Sequence, residues 1–205
     1  MLGALYILAI TVEGMSGALA AGRRNMDPVG VIFIACCTAI GGGSVRDVLI
    51  GNYPLVWVAR PEFILIVTAA ALITIFVSRW MGSLRLLFLT LDGIGLMTFT
   101  VIGVQKTLAL GHSWFIAALM GVFTGVFGGI LRDVLCNRIP LVFKAELYAS
   151  VAFAAAWLHI GLLQTSLPEW VSIVITLGFG FTLRCLAIRY NWELPRFYYR
   201  SDRWH

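Results

Sequence analysis

The sequence predicts an all-α integral membrane protein, built as two inverted three-helix repeats followed by a seventh transmembrane helix. Three observations predict it. Of the 205 residues, 60% are hydrophobic and only 12% charged, with a mean hydropathy of +0.91; a soluble domain of this length needs more polar surface to cover its core. Apolar runs of about 20 residues, the length that crosses ~30 Å of hydrocarbon, fill the chain and leave no room for an extramembrane domain. Finally, residues 42–57, GGSVRDVLIGNYPLVW, return 86 positions later at 128–143 as GGILRDVLCNRIPLVF. The copies share Gly-Gly, Arg-Asp-Val-Leu, Pro-Leu-Val and a final aromatic, and chance does not produce that.

The first span, 3–21, has a signal-like ALA at 18–20, but no basic segment precedes it and Glu13 lies within it, so it reads as an uncleaved helix. The turn AGRRNMDP introduces the second span, 29–49, interrupted at Gly41–Gly43. GNYP and ARPE separate it from the third, 62–79, and RWMGS leads to the fourth, 85–105. ALGHSW precedes the fifth, 114–135, again interrupted at its glycines. CNRIP introduces the sixth, 145–163, and TSLPEW the seventh, 169–188. TVEG at 11–14 matches TLDG at 90–93, so repeat one covers 3–80 and repeat two 85–164. The seventh helix occupies 168–190 and a basic, aromatic tail 191–205. All of this is one membrane domain. Three spans per repeat turn the second copy upside down, the architecture whose binding sites lie near the midplane on discontinuous helices.

Charge sets the orientation. With the N-terminus outside, the inner face receives Arg23, Arg24, Arg79, Arg85, Arg138, Lys144 and the tail arginines 189, 196, 200 and 203, while the outer loops carry little beyond Arg60 and Lys106. The basic balance (net charge +5) therefore reports membrane topology, and no nucleic-acid partner is expected. Lys106 and the arginines at helix ends read as interfacial anchors. Aromatics and arginines mix in the tail as they do where a chain meets lipid headgroups. Cys36, Cys37, Cys136 and Cys185 lie in or beside apolar spans without metal spacing and read as packing residues. The three histidines are far apart, so no metal site is expected. No nucleophile–base pair or nucleotide loop appears, and neither an enzyme nor a cofactor is expected.

The candidate site is the duplicated motif. Gly41, Gly42 and Gly43, with Gly128 and Gly129, weaken helix continuity; interrupted backbone at membrane depth survives only when buried in protein or lining a wet cavity. Close packing is the companion reading, since Gly121, Gly125 and Gly129 form a small-residue face that maps onto Ala35, Ala39 and Gly43. Arg46, Asp47, Arg132 and Asp133 are intramembrane charges, which default to a functional hypothesis. Adjacent residues point about 100° apart on a helix, so pairing across the repeats, Arg46 with Asp133 and Arg132 with Asp47, is expected, with Arg46 to Asp47 on one helix as the competing pairing. Glu13 and Asp92, each followed by glycine, are further buried acids, expected as repeat equivalents that attract a cation, carry a proton or accept hydrogen bonds from opened backbone.

The doubled Gly-Gly-x-x-Arg-Asp-Val-Leu…Pro-Leu-Val motif, over nearly the whole chain, resembles the prokaryotic TRIC (trimeric intracellular cation) channels; bacterial sequences of this sort are also classed as glycine transporters. The resemblance implies a homotrimer in a bacterial-type inner membrane, its pore inside each protomer and potassium or sodium as the permeant species, with potassium favoured. It implies kinks at the five motif glycines, with Ser44, Arg46, Asp47, Arg132 and Asp133 beside the constriction. Copy two has Phe127 and Ile130 where copy one has Gly41 and Ser44, so a drier second half-pore is expected. The alternative is a secondary transporter of a small amino acid such as glycine.

Overall fold

A computed structural model describes residues 2–80, 84–143, 147–190 and Trp192, apart from the Arg79 side chain. Lys144, Arg196, Arg200 and Arg203, assigned above to the inner face, lie outside the described residues. Those residues form eight α-helices and two 3-10 turns, with no strand among them. The helices are α1 (Leu2–Gly22), α2 (Pro28–Leu49), the single-turn α3 (Val56–Ala59), α4 (Glu62–Val77), α5 (Leu84–Ala109), α6 (Trp114–Leu135), α7 (Ala149–Leu163) and α8 (Glu169–Arg189).

Local chemistry sets the boundaries. Asp27 caps α2 by accepting from the Gly30 amide at 2.8 Å, and Pro28 takes the first helical position, where no amide donor is needed. Ser113 plays the same part for α6. Asn25 and Asn137 adopt positive φ after α1 and α6, as short polar side chains tolerate at helix exits. The expected sixth span starts late: residues 147 and 148 form a bend and the helix begins at 149.

Five helices, α1, α2, α5, α6 and α8, are long and apolar enough to cross a membrane. The apolar α4 and α7 have 16 and 15 residues, about 24 and 22 Å at 1.5 Å per residue. Large apolar side chains face outward along the bundle, Phe33, Leu65 and Phe76 among them, as lipid requires and water would not permit.

At the centre α2 and α6 cross with their backbones in contact. A Cβ on Gly42 would fall onto the carbonyl oxygen of Thr124, and one on Gly128 onto that of Thr38. The two contacts are the same contact displaced by 86 residues. The displacement holds one layer out: Gly17 of α1 abuts Thr38 and Ala35, while Gly103 of α5 abuts Thr124 and Gly121. Small residues at these positions let the four helices approach closely in a solvent that supplies no hydrophobic force between them. α4 closes one side against α1 and α2, and α7 and α8 close the other against α5.

The expected interruptions are not seen. Both α2 and α6 remain α-helical through Gly41–Gly43 and Gly128–Gly129. Packing supplies the reason at Gly42 and Gly128, which are spent on backbone contact between helices that a continuous helix satisfies, while Gly41, Gly43 and Gly129 face side chains.

Candidate ion path

Arg46 and Asp47 occupy the last turn of α2, both fully buried. The arginine curls back on its neighbour, Nε and Nη2 donating to Asp47 Oδ1 at 3.0 and 2.9 Å. Lys106, from the end of α5, donates to Asp47 Oδ2 at 3.3 Å, and Asn52 Nδ2 donates to Oδ1 at 3.1 Å. The turn is locked by the Asn52 amide donating to the Asp47 carbonyl at 2.8 Å. Ser44 donates to Ile40 O at 2.8 Å and accepts from Trp57 Nε1 at 3.1 Å.

The last turn of α6 repeats this frame with a different lining. Arg132 Nε donates to Asp133 Oδ1 at 2.9 Å, and the Arg138 amide donates to the Asp133 carbonyl at 2.8 Å. Here, however, Arg132 Nη1 donates both to Asp92 Oδ1 of α5, at 2.6 Å, and to Ser16 Oγ of α1, at 2.7 Å. Its guanidinium lies over the Phe88 ring at 4.6 Å, an arrangement favourable to a buried cation. The backbone amide of Leu141 donates to Asp133 Oδ2 at 3.1 Å. Glu13, 2% exposed, lays its carboxyl over Gly95 of α5, where any side chain would collide with it.

The cross-repeat pairing is therefore corrected: each arginine bonds the aspartate that follows it. The 100° separation was the wrong test, because four rotatable bonds let a guanidinium wrap back to the next side chain. Lys106 is corrected too, from an interfacial anchor to a partner of Asp47. Glu13 and Asp92 are not placed one in each half. Following the 86-residue displacement, the counterpart of Asp92 is Tyr6, which stands near Arg46 and Asp47, and that of Glu13 is Phe99, whose ring meets Tyr6 at 6.1 Å. Both acids thus converge on Arg132. The half expected to be drier receives a hydroxyl and two carboxyls from α1 and α5.

Sequence reasoning missed Ser16, Tyr148, Trp57 and Asn52 as partners of the motif. It also missed a polar chain between α5, α7 and α8. His159 Nε2 lies 3.1 Å from Gln105 Nε2, and its Nδ1 lies 3.1 Å from Thr176 Oγ1. Among the described residues, no group of three or more His, Cys, Asp or Glu side chains is arranged to hold a metal ion.

Comparison with known proteins gives a consistent result. The family model described as Glycine transporter matches the chain twice, over residues 4–79 and 89–164. The UPF0126 inner membrane protein YadS of Escherichia coli is 35% identical over 195 residues, covering 94% of each chain. A UPF0126 membrane protein of Vibrio cholerae is 36% identical, over 94% of this chain and 82% of that one. Among solved structures, the trimeric intracellular cation channel orthologue from Rhodobacter sphaeroides superposes with a TM-score of 0.89 at 30% identity, covering 93% of this chain and 98% of that one. A prokaryotic TRIC channel solved in 0.5 M KCl superposes at 0.86 with 27% identity, covering 94% and 98%.

Proposed function

The chain belongs to the glycine transporter family, and from that membership and its likeness to prokaryotic TRIC channels we propose that it is a monovalent-cation channel, potassium-preferring, with a path inside each protomer of a homotrimer. The observation that carries the reading is the α2–α6 crossing. Two helices meet backbone to backbone at Gly42 and Gly128, and each ends in a buried, ion-paired arginine. Charge at membrane depth is costly, and where it persists it marks an ion or substrate pathway more often than a structural clamp. Gly41, Gly42, Gly43, Ser44, Arg46 and Asp47 line the path from one side, and Gly128, Gly129, Arg132 and Asp133 from the other.

The twofold family match and the 86-residue displacement of contacts support an inverted repeat: 3–80 and 85–164, with the seventh helix at 168–190 and the tail at 191–205 forming the rest of one domain. On this reading seven helices cross an inner membrane, N-terminus outside and C-terminus inside. The Arg46 cluster then lies toward the outer face and the Arg132 cluster toward the inner. Lipids surround the trimer, and no enzymatic activity, cofactor or nucleic-acid partner enters.

The family's description favours a second reading, transport of glycine or a similar small amino acid. A channel needs a continuous polar path, and a transporter needs an occluded site that alternates. Single-channel recording from purified protein in planar bilayers, beside labelled-glycine uptake into vesicles of the same preparation, separates them. Unitary potassium currents without glycine uptake are expected. Saturable glycine uptake without unitary currents would replace the channel reading with the transporter one.

A further inference from the structure

Charge does not balance around Arg132. One guanidinium meets Asp92 at 2.6 Å and Asp133 at 2.9 Å, so the pair of acids already outweighs it. Glu13 adds a third carboxyl to the same buried cluster, from α1. The next cations are each an aromatic ring away. Arg23 stacks on Phe88 at 4.9 Å, and Arg184 stacks on Tyr148 at 4.8 Å while donating to Leu147 O.

Three oxygens of this cluster are buried without a hydrogen-bond partner among the described residues: Glu13 Oε2, Asp92 Oδ2 and the Tyr148 hydroxyl. Arg132 Nη2 is unpartnered as well. They belong to four different parts of the chain. Tyr148, at the entrance to α7, sets its hydroxyl over Gly129, at 3.2 Å from where a Cβ would stand, with Asp92 Oδ1 at 3.8 Å from the same point. Buried polar atoms are nearly always paired, and an uncompensated buried charge is strongly unfavourable. Three carboxyls against one guanidinium leave two negative charges in excess, which Arg23 and Arg184 offset only from beyond an aromatic ring; with the open acceptors, that excess calls for a compact positive charge inside the cluster.

We propose that Glu13, Asp92 and the Tyr148 hydroxyl form a buried site for one exchangeable monovalent cation, a proton or an alkali-metal ion, beside Arg132. The corresponding place in the other half has no such site. There Tyr6 and Phe99 stand where Asp92 and Glu13 do, and Lys106 supplies a second positive charge to Asp47. The site concerns binding in the folded protein and is independent of whether the path conducts.

Thermal unfolding of the purified full-length protein in detergent reads it directly. One arm varies potassium chloride against choline chloride at fixed pH, because choline is too large for the site. The other varies pH without alkali ions. An ion that binds only the folded protein raises its midpoint, by about 2–4 °C at about five times its dissociation constant. A proton held only in the folded state stabilises at low pH, and the gain is lost as pH rises. Dependence in the potassium arm that disappears in Glu13→Gln identifies an alkali ion, and in the pH arm a proton. Glu13→Gln, which removes the need for the added charge, is expected to unfold no lower than the parent measured without the ion. Should that variant not fold, Tyr148→Phe removes one ligand atom and is expected to move the midpoint of the dependence several-fold in potassium concentration or proton activity. A parent indifferent to both arms, or a dependence that Glu13→Gln or Tyr148→Phe leaves in place, overturns the proposal. Because the readout is stability, neither result bears on the conduction experiment.

Discussion

Gly42→Ala tests the central crossing most directly, because adjacent Gly43 supplies an internal control. At Gly43 an added Cβ meets only Arg46 Nη2, at 3.8 Å. Alanine there gains the usual helix preference over glycine, about 1 kcal/mol. At Gly42 the same methyl lands on the Thr124 carbonyl, with the Thr124 carbonyl carbon and the Gly128 amide nitrogen close behind. Backbone is on both sides of this contact, so no side chain can rotate away; the helices must part by about 1 Å, at the upper end of the 1–3 kcal/mol typical of overpacking. Subtracting the propensity gain leaves Gly42→Ala about 2 kcal/mol below the parent and about 3 below Gly43→Ala. For a chain of this size that separates the two melting midpoints by about 6–12 °C in detergent. Gly128→Ala, which meets Thr38 O in the same way, is expected to match Gly42→Ala. Equal midpoints for Gly42→Ala and Gly43→Ala would refute the backbone contact and return the glycines to a looser role.

Asp92→Asn weakens the 2.6 Å charge-assisted bond to Arg132 while Asp133 stays in place, and is expected to lower stability by about 1.5–3 kcal/mol in thermal unfolding. Combined with Arg132→Gln it should cost clearly less than the sum, whereas Asp47→Asn with Arg132→Gln should be additive; non-additivity in the latter would restore pairing across the halves. Thr176→Val leaves His159 Nδ1 without its hydroxyl and is expected to destabilise by about 1–3 kcal/mol; an unchanged melting midpoint would count against that hydrogen bond. A reporter fused after His205 is expected in the cytoplasm and one inserted at 165–168 outside, and the reverse pattern would overturn the orientation and the inverted repeat together.

Hydropathy locates the five membrane-length apolar helices and the two shorter ones within a few residues, because a bilayer demands length and apolarity and little else. The Arg-Asp motif was equally plain, since intramembrane charge stands out against leucine and alanine. Its pairing was not. Whether Asp47 meets Arg46 or Arg132 depends on side-chain reach and helix rotation, neither of which leaves a trace in spacing. The short match of TVEG to TLDG suggested that Glu13 and Asp92 are equivalent. The longer match at 42–57, carried back at the same displacement, would have paired Asp92 with Tyr6 and exposed the asymmetry between the halves. Tyr148 and Ser16 had no such signal: each is an ordinary residue until another helix brings Arg132 to it.

Arg24, just beyond α1, donates through Nε to the Cys136 carbonyl at 2.6 Å and through Nη2 to that of Asn137. Ser16, within α1, waits for Arg132, 116 residues later. At about 5–20 residues per second of synthesis, the first helix resides in the membrane for about 6–20 s before either partner exists. Glu13 waits about 4–16 s of that interval for Asp92 and the whole of it for Arg132, and α6, once made, exits its last turn onto an arginine that has been in place since the start. The earliest segment to be inserted is thus among the last to be completed, and a chain truncated before residue 132 leaves Ser16 of α1 without the arginine that meets it in the finished protein.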